Sequence, residues 1–218
     1  MGRARLLRGV SVALFVAAVT PAASGEWLDW RWKSLDQECE GECAVAVYGG
    51  PIVDTAMTRI FLTRGIPPWA WDYGAGGLIA GTASRKLANL FGVIDIEPEV
   101  GIGRRFGNLH ETEVWTAVYF RFTEFPWNNY LYTTVAVSTG LSYASGVPGE
   151  EIARAGVKVA PADARLLHFF SPEITFALPG HRNVELMFRF HHRSGAYCAL
   201  SCFTGGAHYG TVGIRARF

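Results

Sequence analysis

After its first 25 residues the chain has no apolar run long enough to cross a bilayer as a helix, which takes about 20 consecutive apolar residues. It has no run of basic residues, and its formal net charge is +1. A nucleic-acid partner is therefore not indicated. Cysteine is sparse: four residues in two pairs, Cys39/Cys43 and Cys198/Cys202, each with three residues between. Structural zinc wants four ligands, and the CEGEC segment has neither a second pair nor histidines at ligand spacing nearby, so no metal is expected. Outside the cytoplasm the default for such cysteines is a disulfide, and whether each pair closes locally or across the fold is left open. Acidic residues also run out. No Asp or Glu follows Glu185.

What the chain does have begins with an export signal. Residues 1–25 carry Arg3, Arg5 and Arg8, then the apolar stretch Val10 to Val19, then the small-residue exit Ala22-Ala23-Ser24-Gly25. This is the pattern of a cleaved secretory signal peptide. Residues 26–43 read as a polar periplasmic arm with Trp27, Trp30 and Trp32, suited to a membrane interface or to a cap on the domain. The remainder, 44–218, is one domain. Half of all residues are hydrophobic, 13% are aromatic and 25 are glycine. Such apolar content without a spanning helix fits strands that alternate between lipid and interior.

Eight strand-like segments follow, several of 10–13 residues, with alternately short and long connections. They predict an all-β fold, an eight-stranded antiparallel transmembrane β-barrel of the outer-membrane type. One face of each segment is apolar, as in Val114, Val118, Phe120 and Phe122. The other collects Glu97, Glu99, Glu113, Glu173 and Glu185 against Arg121, Arg189, Arg193, Arg215 and Arg217. This predicts a paired charge network inside a barrel whose side chains fill it, which disfavours a solute channel. A soluble lipocalin-like barrel would have the reverse polarity. The aromatic turn Phe125-Pro126-Trp127 and the terminal Phe218 strand favour the membrane version. Pro98 and Pro172 fall inside strands, where proline removes a ladder donor, and bulges are expected at both. Residues 146–164 read as a long loop.

The segment Val184 to Ser194, VELMFRFHHRS, alternates most strictly. Its apolar face runs Val184, Leu186, Phe188, Phe190 and ends on His192 and Ser194. Side chains two apart on a strand share a face, within reach of a hydroxyl–imidazole contact. A possible nucleophile and base thus sit at the outer end of a lipid-facing strip, placed to attack an ester bond in a lipid. A His and a Ser at a strand end can equally be interfacial residues that bond headgroups. His191 and Arg193 face inward, into the charge network. Arg104 and Arg105 are within reach of lipid A phosphates at the outer rim, although exposed loop arginines are usually just solvated.

The barrel layout and the His-x-Ser motif resemble the lipid A 3-O-deacylase (PagL-like) family. The string FRFHHRSGAY with the following GG and the terminal GIRARF resembles its diverged acyloxyacyl hydrolase-like relatives. The resemblance implies an outer-membrane hydrolase of Gram-negative bacteria that removes an ester-linked acyl chain from lipid A (lipopolysaccharide), with a Ser-His-Glu triad and no cofactor. Ser194 takes the nucleophile's place and His192 the base's. Gly195 stands where the family has an asparagine tied to its oxyanion hole, and a backbone N–H can serve there. The family glutamate belongs about where this chain reads Gly205-Gly206-Ala207-His208. His208, on the face of Ser194, or Glu150 or Glu151 from the long loop, are the substitutes available. The rival reading is a catalytically inactive barrel with a structural or adhesive role.

Overall fold

The period-two alternation becomes a closed antiparallel barrel in the computed structural model, which describes residues 28–30, 38–107 and 110–218. The expected export signal, Trp27 and Trp32 lie outside the described residues. The barrel strands are β1 (Cys43–Val53), β2 (Tyr73–Arg85), β3 (Ile94–Phe106), β4 (Thr112–Phe122) and β5 (Tyr132–Ala144). They continue as β6, in two halves (Leu166–Phe170 and Glu173–Ala177), β7 (Val184–Ser194) and β8 (Gly206–Arg217). Each pairs with its sequence neighbour, and β8 pairs back onto β1, from Arg217 opposite Ala44 to Tyr209 opposite Ile52. Closure leaves no free edge in the barrel. A short strand, Leu28–Trp30, pairs with Ala88–Leu90, which prolongs β2 along β3.

The two prolines behave differently from expectation. Opposite Pro98 the irregularity lies in the neighbouring strand: four steps from Ser84 to Ala88 face three from Glu99 to Ile96. Pairing of Pro98 itself with Val118 is in register. At Pro172 there is no bulge. The ladder is interrupted at Ser171-Pro172, yet the register to β5 and β7 is the same on both sides of the gap. A missing N–H removes a hydrogen bond without requiring an inserted residue.

The outward face is a belt of exposed apolar side chains, including Val47, Ile79, Ile102, Val137, Leu186, Phe188 and Ile214. An apolar belt this continuous is tolerated where lipid covers it. The inward face is filled. Near the short-turn end, Arg121 bonds Glu97 (2.8 Å) and Glu173 (2.6 Å), Arg189 bonds Glu99 (2.8 Å), and Arg215 bonds Glu97 (2.8 Å). Arg217 reaches Glu185 at 2.6 Å. Every one of the ten charges expected inside is there, Arg193 included. Interleaved with them are Tyr48, Trp115, Tyr119, Phe169, Met187 and Tyr209. Burial of charge is costly unless each is paired and hydrogen-bonded, and the strand alternation brings the partners to one lumen.

The ends differ. Among the described residues, the short-turn end has tight connections, and Phe218 exchanges backbone hydrogen bonds with Cys43. At the other end, 54–72, 145–165 and 195–205 are long. The segment expected as a loop contains a helix, α1 (Gly149–Ala155), whose Glu151 enters the lumen and bonds Arg105 at 2.9 Å. Arg105 is therefore buried and unavailable to lipid phosphates, while Arg104 stays exposed and donates to Thr112. Both disulfides close locally, Cys39–Cys43 and Cys198–Cys202.

Candidate functional site

β7 carries the outward strip to the long-loop end, and there its environment changes. Leu186 and Phe188 are 46% and 40% exposed, but Phe190 is 4% and His192 7% exposed. The cover is the β1–β2 connection, which folds back over the outside of the barrel. Phe190 packs with Val53 and Ile60, with Met57 and Trp71 alongside. Phe61 and Trp71 meet the Phe190 ring edge-on, at 5.2 and 5.6 Å. Gly210, opposite Phe190 on β8, makes room: a Cβ there would lie 2.8 Å from the Trp71 ring. The Trp71 indole N–H is tied to the Ile66 carbonyl, which fixes this strap. The strip expected to open onto lipid is thus roofed toward its long-loop end.

Beside that roof is a cavity of about 400 Å³ whose walls include His192, Ser194, Gly195 and His208. The four residues singled out in the sequence are brought together. Asp54, Met57 and Arg154 line it from the strap and α1, and Cys198, Ser201 and Phe203 from the β7–β8 loop. That loop is strained. Ala196, Tyr197 and Cys198 have φ of 51°, 54° and 70°, three successive non-glycine residues in the left-handed region. Each costs on the order of 1–2 kcal/mol, and such clusters concentrate at functional sites. The Cys198–Cys202 disulfide and the Leu200 and Ser201 amides, both donating to the Gly195 carbonyl, hold it. Gly195 is needed for that close approach, since a Cβ would fall 2.1 Å from the Ser201 carbonyl.

His192 lies directly opposite His208 in the β7–β8 register, with ring centroids 5.4 Å apart. His208 Nε2 is 3.0 Å from the Thr55 carbonyl. The Nδ1 atoms of both rings are buried and have no partner. No hydrogen bond joins Ser194 to His192 among the described residues. Neither loop glutamate supplies the missing acid: Glu151 is committed to Arg105 inside the barrel, and Glu150 does not line the cavity. Asp54 does line it, but its carboxylate is paired with Arg154 at 3.0 Å. His191, on the opposite face of β7, has both nitrogens engaged, by the Tyr48 hydroxyl (3.0 Å) and Glu113 (3.2 Å).

The sequence reading missed two things. His168 on β6 stands opposite Ser194 in register, its Nε2 2.9 Å from the Thr139 hydroxyl, though it is not on the cavity wall. Its place on the outward face of LLHFF was the available sign. The strap was missed as well. An apolar run, Ile60-Phe61-Leu62, inside a connection was the sign that this connection packs on something.

No groups of three or more potential metal ligands occur among the described residues. No protein-family model and no curated protein matches the chain. Similar solved structures include the outer membrane enzyme PagL: 10% identity, TM-score 0.52, over 80% of this chain and 99% of that one. A de novo designed transmembrane β-barrel is similar over 82% of this chain and 96% of its own, with 12% identity and a TM-score of 0.47. Ail, the attachment invasion locus protein of Yersinia pestis, covers 82% and 99%, with 13% identity and a TM-score of 0.38. At such identities the likeness is one of fold. The barrel resembles bacterial outer-membrane proteins.

Proposed function

We propose that this chain is an outer-membrane hydrolase that removes an ester-linked acyl chain from lipid A, with Ser194 as nucleophile and His192 as base. The observation that carries the reading is the shared cavity. A serine, two histidines and a glycine loop meet in an otherwise mostly apolar, half-open cavity at the barrel's long-loop end. Ser194 attacks the ester carbonyl while His192 Nε2 takes its proton. The proton then passes to the departing sugar alkoxide, and water hydrolyses the acyl-enzyme by the same route. Amides of the strained loop that begins at Gly195 are the available donors for the oxyanion. The resemblance in layout to PagL, described as an outer membrane enzyme, agrees with this reading.

One observation favours a second reading, a catalytically silent barrel with a structural or adhesive role. His192 has no carboxylate partner, and its Nδ1 is unpartnered. Mass spectrometry of lipid A from cells that express the native protein or Ser194→Ala separates the two. Loss of one hydroxyacyl mass with the native protein and its retention with Ser194→Ala is the expected result. Identical spectra, with both proteins folded in the membrane, would leave the silent barrel.

A further inference from the structure

We infer that His208, itself held by the Thr55 carbonyl, is the positioning residue that orients His192 toward Ser194. The inference rests on the hydrolase reading above. A carbonyl oxygen only accepts, so the 3.0 Å contact to Thr55 assigns the proton of His208 to Nε2. In the neutral ring Nδ1 is then a bare acceptor, and it is buried with no donor. His192 shows the complementary want. For its Nε2 to accept the Ser194 proton, its own proton must sit on Nδ1, and that atom too is buried and unpartnered. One ring thus needs a donor and the next needs an acceptor, directly across the β7–β8 ladder from each other.

The spacing suits the bond. Two imidazoles joined by an N–H···N contact of about 3 Å have centroids roughly 5 Å apart. The observed separation is 5.4 Å with the planes inclined by 49°, so rotation of the rings, not movement of the strands, closes the contact. Phe190 lies against both rings at an inclination of 27° to each and walls off the side toward the strap. The other charged groups on the cavity, Asp54 and Arg154, bond each other, and Arg154 also donates to the Gly206 and Val53 carbonyls. No other side chain on the cavity has a buried, unpartnered nitrogen acceptor. As Ser194 gives up its proton, His192 becomes an imidazolium whose Nδ1–H is held by His208 Nδ1, and that charge is shared through to the Thr55 carbonyl. Protons balance, since the one received at Nε2 leaves with the alkoxide and none passes beyond His192.

The test uses the mature barrel refolded in micelles with ¹⁵N-labelled histidine, together with labelling of Ser194 by a fluorophosphonate ester. The expected results are a through-hydrogen-bond ¹⁵N–¹⁵N coupling between His192 and His208, and labelling slowed on the order of 10²-fold in His208→Ala. Rescue is expected in His208→Gln and His208→Glu, whose side-chain oxygens accept from His192; a merely structural histidine would not be rescued this way. Heat-modifiable gel migration establishes that each variant is folded. Absent coupling, with labelling equal in native protein and His208→Ala, overturns the positioning role of His208 and leaves the hydrolase reading standing. Loss of labelling in His168→Ala but not in His192→Ala assigns the base elsewhere and also overturns it. Coupling without any labelling of native Ser194 removes the nucleophile, and with it the catalytic role of the pair.

Discussion

His191 and His192 are adjacent in sequence and live in two different proteins, as far as their surroundings go. His191 points into the lumen, where Tyr48 and Glu113 engage both its nitrogens and Trp115 and Phe169 pack their rings around it. His192 points outward, under the strap, with a buried nitrogen left unpartnered. The lumen pairs its arginines with its glutamates, although single atoms such as the Tyr119 hydroxyl and Arg193 Nη1 stay without a partner there too. The cavity differs in leaving one nitrogen unengaged on each of two histidines that face each other across the β7–β8 ladder.

Breaking the outer side should show the largest effect and leave the fold alone. Ser194→Ala is expected to lower deacylation on the order of 10⁴-fold or more, with the urea midpoint of the barrel in phospholipid vesicles unchanged. A folded mutant that retains activity would remove Ser194 from the chemistry. Breaking the inner side should do the reverse. Arg189→Ala takes its arginine from Glu99 and one of two from Glu173, and should cost roughly 3–5 kcal/mol in the same urea titration. If the cost is under 1 kcal/mol, water reaches the lower lumen and the filled interior is wrong.

The neighbouring histidines sharpen the contrast. His191→Phe should destabilise by roughly 1–3 kcal/mol, because Glu113 and the Tyr48 hydroxyl lose a buried partner, while Ser194 reactivity survives. His192→Phe should do the opposite, with little loss of stability and no reactivity. The smallest effect is expected at the roof. Trp71→Phe removes the bond to the Ile66 carbonyl, worth about 1 kcal/mol. It should show as faster proteolysis within residues 54–72, with the barrel midpoint unmoved.

The strands were legible because a barrel wall obeys one local rule. β7 begins and ends where the alternation of VELMFRFHHRS does, and the five acidic and five basic inward positions follow from the same parity. Pro172 escaped the rule in an instructive way. A missing donor was read as a bulge, but the ladder simply skips a step, since both neighbours keep their register. Arg105 escaped it too. Its parity said inward, but its proximity to a loop suggested lipid, and the deciding partner, Glu151, comes from a helix 46 residues away in sequence.

The chain by itself therefore determined the wall, its two faces, and the row of residues that meet at the long-loop end, because pleat and parity act over two or three residues. It did not determine that His192 would be roofed, that the loop after Ser194 would turn left-handed, or that His208 would be anchored on Thr55. Those depend on where 54–72 and 195–205 come to rest, and such packing is decided by the closed barrel that presents Phe190 and Gly210 to Trp71. Short-range periodicity is written in each strand. Contacts that shape the cavity, such as His208 on Thr55, join residues more than a hundred positions apart, and only closure brings them within range.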